Sequence, residues 1–478
     1  MSTQNNPAGA TTIRAEHALT SEGWQSDVSV IIDEGGRIIS VTTGQPQSGQ
    51  PQSEQPSSEQ SSSEQRVGLL LPAMPNLHSH AFQRAMAGMT ETRGDDPQDS
   101  FWSWRKLMYR FLDRLTPDDV ESIAAFGQME MLESGYTSVG EFHYLHHQAD
   151  GNPYDNCAEM CERLAAASQQ SGIGLTLLPV LYEQGGCDGR ALSGGQKRFG
   201  NSIDGYGKLF QKAGESITAL GGNANIGIAP HSLRAVSKAS IIEAASLVAG
   251  RPFHIHVAEQ QAEVDELLSV YGARPVQWLL DNHAVDAGWC LIHATQMLAH
   301  ETSALAQTGA VAGLCPITES NLGDGIFDGR HYQSEQGVWG VGTDSNVRIS
   351  LGEELRTLEY SQRLRDQRRS VYATSEQSTG RVLYEAALQG GAQALQRQTG
   401  SISVGRQADL IALNLQSPNL AGVSNDGWLD AWIFTSDDSL ITDVWSCGTH
   451  IVSDGRHVHR QQLTDRYLST MKILCSDL

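Results

Sequence analysis

Hydrophobic and polar positions change rhythm twice along this chain. Residues 12–43 alternate over short runs around Ile13, Val28–Val30 and Ile38, broken by the turn Glu34-Gly-Gly-Arg37. That is the pattern of β-hairpins. From Val67 onward, apolar strands are separated by amphipathic helical stretches, the sign of βα units around a parallel sheet. Eight strands are predicted, over 67–77, 137–144, 174–182, 225–231, 252–258, 290–294, 310–315 and 338–343. Helices are predicted over 118–133, 156–171, 240–249, 260–270 and 301–308, and further on over 351–369 and 380–396. Eight parallel strands with helices between them, over roughly 250–300 residues, predict an α/β fold of the (β/α)8 TIM-barrel type. Short strands return over 402–405, 408–413 and 443–446. Both flanking segments are therefore expected to join in one small β-sandwich domain, built from 1–66 and 399–478, beside a barrel spanning 67–398.

Residues 44–66 break this grammar with a five-residue quasi-repeat, Gly-Gln-Pro-Gln-Ser followed by its Glu-Gln variants. Nothing in the tract can anchor a core, so it is predicted to be a disordered surface insertion of the small domain.

With 39% hydrophobic residues and 48 glycines, the 478-residue chain suits a large globular core with many tight turns. Its formal charge of −22 argues against nucleic acid or an anionic membrane as a partner. A small anion stays admissible, because a few local arginines outvote a diffuse negative surface. The first residues lack the pattern of a secretory signal and no apolar run approaches a membrane span, so a cytoplasmic location is expected. Seven scattered cysteines with no CxxC pair read as free thiols in a reducing compartment. A homodimer is the assembly to test.

In such a barrel, chemistry sits at the C-terminal ends of the strands. The first predicted strand delivers His78 and His80 there. Side chains two apart on an extended backbone point the same way, so two imidazole nitrogens can share one cation. Alone the pair means little, since sixteen histidines yield one by chance. Later strand ends add to it: Glu141-Phe-His-Tyr144 on the second, His231 and Arg234 on the fourth, His256 and Glu259 on the fifth, His293 on the sixth and Asp344 on the eighth. Such a coincidence is hard to read as packing. His254, one step below His256 on the same face, is predicted to be a hydrogen-bonded core residue, and His143, His146 and His147 a polar loop. Glu259 could serve only as a helix-entry acid, but its place three residues after His256 favours a catalytic role.

The His78/His80 pair, the His-Val-Ala-Glu run from His256 to Glu259, His293, and Gly-Thr-Asp-Ser around Asp344 together resemble the amidohydrolase superfamily in its mononuclear deaminase branch. The resemblance implies one divalent metal held by His78, His80, His256 and Asp344, with zinc expected and iron the alternative. Binuclear relatives often carry a lysine on strand four, where this chain has His231. Longer stretches, 78–88, 100–105, 141–144, 230–234 and 320–327, resemble the formimidoylglutamate deiminase family, enzymes of histidine breakdown. This implies a small dicarboxylate substrate, N-formimidoyl-L-glutamate, hydrolysed to N-formyl-L-glutamate and ammonia. In that reaction Asp344 takes a proton from water, His293 orients the attacking oxygen, and Glu259 protonates the departing nitrogen. Arg105 and Arg234 pair with the two carboxylates, with Gln83, Tyr144 and His231 as neutral partners. Arg105 is expected on a loop, 102–109, folded over the barrel mouth. Two rival readings are an aminohydrolase of guanine or a related heterocycle, with stacking aromatics instead of paired arginines, and a barrel that has lost its chemistry. Against the second stands the presence of His78, His80, His256, Glu259 and Asp344 together.

Overall fold

The structure, a computed structural model, describes residues 9–44, 64–91, 101–247 and 250–476. Most of the Gln/Ser-rich tract, 45–63, lies outside the described residues. Strands β1 (Thr11–Thr20), β2 (Gly23–Ile32) and β3 (Ile38–Thr43) form an antiparallel meander, and β4 (Glu64–Pro72) pairs parallel to β1. The barrel strands follow: β5 (Met74–Ser79), β6 (Tyr136–His143), β7 (Gly174–Leu181), β8 (Ala224–Ile226) with β9 (Ala229–Pro230), β10 (Phe253–Val257), β11 (Trp289–His293), β12 (Val311–Leu314) and β13 (Val338–Val341). Finally β14 (Leu410–Leu413), β15 (Ile441–Ser446), β16 (Thr449–Ser453) and β17 (Arg456–His457) rejoin the first sheet, giving the order β17-β16-β15-β14-β4-β1-β2-β3.

Two parallel arcs, β5-β6-β7-β8 and β10-β11-β12-β13, make the barrel wall. The bridges Ile228↔Phe253 and Ser232↔His256 join them on one side, and Ser79↔Asp344 joins them on the other. Strand four is broken into β8 and β9 because the chain passes close to its neighbour: a Cβ on Gly227 would lie 2.6 Å from the Pro252 carbonyl oxygen. Ala394 and Leu395 join Leu77, Ile292 and Val311 in one core cluster. The helix Thr379–Ala394 approaches closely enough that a Cβ on Gly391 would lie 2.9 Å from Pro75 O. The long helix Pro117–Glu133 starts as its sequence dictates: Thr116 and Asp119 form a reciprocal capping box, and proline occupies the first turn.

The small domain has its own core, which includes Ile13, Val28, Val30, Ile38, Leu70, Leu410 and Trp445. Ile38 N–H donates to Arg406 O (2.9 Å) and Ala408 N–H to Gly36 O (2.8 Å), which folds the meander back onto the C-terminal segment. One continuous sheet thus wraps its own core. The predicted first strand, 67–77, is two strands. Ala73 N–H donates to Asp409 O of the small domain, whereas the next residue, Met74, donates to Gly135 O of the barrel. An apolar run carries no mark of where it leaves one sheet for the next, so the expected boundary at 67 falls inside β4. All seven cysteines are free. Among the described residues, no helix is long and apolar enough to cross a membrane.

His143, His146 and His147, expected in a polar loop, are buried. His146 donates from Nε2 to Val180 O (2.9 Å) and His147 from Nε2 to Gly200 O (2.6 Å). Burial lowers the His143 pKa to about 3 and that of His146 well below its ordinary value. Unfolding exposes these rings, which then take up protons below their ordinary pKa of 6.5. Their contribution to stability is complete above that value and declines as the pH falls toward about 3, the folded value of His143. The urea midpoint is therefore expected to drop steadily across this window, and a flat midpoint would show that these rings are already accessible to protons in the folded chain.

Candidate active site

The site is assembled where the first and last barrel strands meet. Asp344 N–H donates to His78 O (3.0 Å), and His80 N–H donates to Asp344 O (2.9 Å). Asn346 fixes this seam: its Nδ2 donates to Ser79 Oγ (3.1 Å), His80 O (3.2 Å) and Asp344 O (3.1 Å), while its Oδ1 accepts from Thr343 Oγ1 (2.6 Å). Asn76 braces Thr343 in turn (2.8 Å). Three strand ends leave the sheet with positive φ at non-glycine residues: Ala258 (50°), His293 (71°) and Asp344 (46°). Such conformations cost of order 1–3 kcal/mol each and persist where surrounding bonds enforce them. Here they help turn side chains into the barrel mouth.

His78, His256, His293 and Asp344 each offer a ligand atom within 4.8 Å of the others, and all four are buried. Asp344 Oδ1 lies 3.4 Å from His78 Nε2 and 3.3 Å from His80 Nε2. His256 Nε2 is 3.1 Å from His78 Nε2. Donors bound at zinc distances in a tetrahedron sit about 3.3–3.4 Å apart, and these three separations are close to that size. The second ring nitrogens support the fit. His80 donates from Nδ1 to Phe142 O (2.8 Å) and His256 from Nδ1 to His231 O (3.1 Å), which leaves each Nε2 as a lone pair facing the cluster. Burial depresses the pKa of His78 to about 3 and lowers those of His80 and His256, so all three rings are neutral. Burial alone would raise the Asp344 pKa, but its bond to His78 and the adjoining imidazoles outweigh that and hold it down.

His293 is different. Its Nδ1 meets Glu319 Oε1 (3.3 Å), and its Nε2 faces Glu259 Oε1 and Asp344 Oδ2, each at 3.9 Å. Burial disfavours its charged form, yet the Glu259, Glu319 and Asp344 carboxylates raise its pKa to about 10. This ring carries a proton, so of those four residues it is the one least suited to offer a lone pair; His80, outside that group, stands 3.3 Å from Asp344 Oδ1. Burial pushes the Glu259 carboxyl upward in pKa, partly offset by His293 and Arg234.

One cavity opens over these groups, with Gln83, Arg105, Tyr144, His231 and Arg234 in its wall. Gln83 Nε2 donates to Tyr144 OH (2.8 Å), and His231 Nδ1 meets Ser232 Oγ (3.0 Å). Arg105 donates from Nη2 to Tyr182 OH (3.4 Å). The segment expected as a loop over 102–109 belongs to the helix Phe101–Leu112, which brings Trp104, Arg105 and Met108 to the cavity. Ser100, in the motif read there, lies outside the described residues. The sequence reading did not single out Glu319, Glu263 or Tyr182. Glu319 follows Pro316 in the first turn of a short helix, where an acid is ordinary, so no local signal separated it from a helix-entry residue. His254, predicted to be a core residue, donates from Nε2 to Ala394 O (2.8 Å).

Comparisons with known proteins identify the family. The profile of the amidohydrolase family matches residues 69–452, and that of the formimidoylglutamate deiminase HutF N-terminal domain matches residues 10–54. The formimidoylglutamate deiminase of Pseudomonas aeruginosa is 45% identical over 463 residues, covering 96% of this chain and 98% of that one. The crystal structure of an amidohydrolase from Brucella melitensis superposes with a TM-score of 0.90 at 42% identity, covering 98% of this chain and 100% of the other. An adenosine deaminase from Xanthomonas campestris, solved with bound zinc, shares the fold at a TM-score of 0.77 and 21% identity, over 97% of this chain and 98% of its own. The chain belongs to the amidohydrolase family, in the group that includes the formimidoylglutamate deiminase of Pseudomonas aeruginosa.

Proposed function

We propose that this chain hydrolyses the amidine of N-formimidoyl-L-glutamate to N-formyl-L-glutamate and ammonia, a step of histidine breakdown carried out in the cytoplasm. The observation that carries the reading is a buried His/Asp cluster with the acid Glu259 beside it, under a cavity wall holding two guanidinium groups, Arg105 and Arg234. The 45% identity to the Pseudomonas aeruginosa deiminase supports it.

His78, His80, His256 and Asp344 hold one divalent ion, zinc by the tetrahedral fit of three imidazoles and a carboxylate. When bound, the ion supplies Lewis acidity that lowers the pKa of water toward neutrality. Asp344 Oδ2, turned toward His293, accepts the proton of the attacking water. The His293 imidazolium, oriented through Nδ1 by Glu319, donates from Nε2 to the oxygen that becomes the formyl carbonyl. Glu259 gives its proton to the terminal nitrogen as water adds, and the proton held by Asp344 follows to that nitrogen. The hydroxyl proton of the adduct returns to Glu259, the C–N bond breaks, and ammonia leaves. Arg105 and Arg234 pair with the two substrate carboxylates, and Gln83, Tyr144 and His231 supply neutral hydrogen bonds around the amidine.

Aromatic rings also line the cavity, Trp104, Tyr109, Tyr182 and Phe199 among them. A heterocycle such as guanine would stack on them, but it offers no carboxylate to either arginine. Ammonia release measured side by side on formimidoylglutamate and guanine tests the choice, and turnover of guanine alone would overturn it. A guanidinium–carboxylate pair in a largely desolvated pocket is worth roughly 2–5 kcal/mol on truncation, and lysine restores the charge without the planar fork. Arg234→Lys is therefore expected to lower kcat/KM by at least about tenfold on formimidoylglutamate. The loss should shrink on an analogue whose paired carboxylate is an amide. Equal losses on both would make Arg234 a structural residue.

A further inference from the structure

Glu263 lies one helical turn after Glu259, in the first turn of the helix Gln261–Tyr271, and is 2% exposed. A buried carboxylate needs compensation, and half of it is evident: Glu263 Oε2 accepts the backbone N–H of Glu259 (3.1 Å). The other oxygen, Oε1, has no hydrogen-bond partner among the described residues. It faces Arg234 Nε at 3.9 Å, and that Nε is also buried and without a hydrogen-bond partner among them. On the same edge of the guanidinium, Nη2 stands 3.8 Å from Glu259 Oε2, and Arg234 borders the cavity. A second contact ties the same helix to the same loop, because Tyr271 OH donates to Leu233 O (3.3 Å).

Two orphaned, oppositely charged groups lie within an ångström or so of a hydrogen bond, on the side of Arg234 adjoining Glu259. We infer that Glu263 is a positioning residue for substrate recognition: its Oε1 takes the Nε–H of Arg234 as the substrate docks, so that the Nη1/Nη2 end presents its fork to a substrate carboxylate. One side chain then serves two functions. Through Oε2 it holds the backbone at Glu259, and through Oε1 it sets the plane of the guanidinium. The inference rests on the reading of Arg234 as a carboxylate anchor.

Glu263→Gln separates the two functions. Glutamine keeps the shape and one acceptor oxygen, enough for the Glu259 N–H, but it has only an NH2 left to face the Arg234 Nε, where donor meets donor. On formimidoylglutamate, Glu263→Gln is expected to raise KM about tenfold or more and leave kcat within about threefold, since the reacting groups stay in place. Metal content and the urea midpoint should match wild type. The KM increase should be small on the analogue with an amide in place of the paired carboxylate. Glu263→Asp, which keeps the charge but shortens the reach, should fall between glutamine and wild type. An unchanged KM in Glu263→Gln, or an equal KM increase on acid and amide substrates, overturns the inference. Failure of the underlying reading has a separate signature, because Arg234→Lys would then also fail to distinguish acid from amide. If Arg234→Lys distinguishes them and Glu263→Gln does not, only the role of Glu263 is wrong.

Discussion

Glu259→Gln is expected to fold normally, keep its metal and lose about two to four orders of magnitude in kcat, the usual worth of a positioned proton donor. The leaving group must depart as neutral ammonia, so its nitrogen needs a proton as the bond breaks. Glu259 lies at the mouth beside His293, and burial favours its protonated form, which is what an acid working near neutral pH requires. Glutamine fills the same space and still donates hydrogen bonds, but it cannot give up a proton. Steady-state ammonia release together with metal analysis checks this. A variant within about tenfold of wild type would mean that another group delivers the proton.

Removal of the divalent ion is expected to abolish turnover and lower the unfolding midpoint, with about one equivalent restoring both. One ion is expected because the donors converge at one point. Strand four contributes no lysine to bridge a second ion, and its His231 turns Nδ1 to Ser232 Oγ at 3.0 Å. At an ion concentration a thousandfold above Kd, binding to the folded chain alone adds about 4 kcal/mol of stability. Chelation followed by zinc titration, read by turnover and by thermal unfolding, checks the claim. Two tightly held ions per active chain, or activity that survives chelation, would refute it.

The sequence disclosed the barrel because strand and helix periods differ, and it disclosed the site because a barrel sends its chemistry to one end of every strand. His78, His80, His256, His293 and Asp344 stood out as strand-end residues for that reason, and the roles proposed for them came from the family resemblance. Residues that act through another residue were not. Glu263 and Glu319 occupy first turns of helices, where carboxylates are common, and only their distances to Arg234 and His293 set them apart. The boundary at Ala73 was hidden for a similar reason, since hydrophobicity is continuous across it. Arg105, read as a substrate-binding residue, lies in the cavity wall, but its stretch was assigned to a loop and belongs to the helix Phe101–Leu112.

The clasp at Asn346 also bears on the order of events during folding. Its bond to His80 O spans 266 residues of chain, and the His78–His256 contact spans 178. Loop-closure entropy must be met before contacts this distant form, so they arise late. A nascent chain that has built only the first half of the barrel holds two of the four proposed ligands, His78 and His80. Tight capture of the ion is thereby postponed until the last strand closes the ring, and metal uptake becomes a report on completed topology, which stopped-flow refolding with a metal-sensitive dye can time against the gain of native fluorescence.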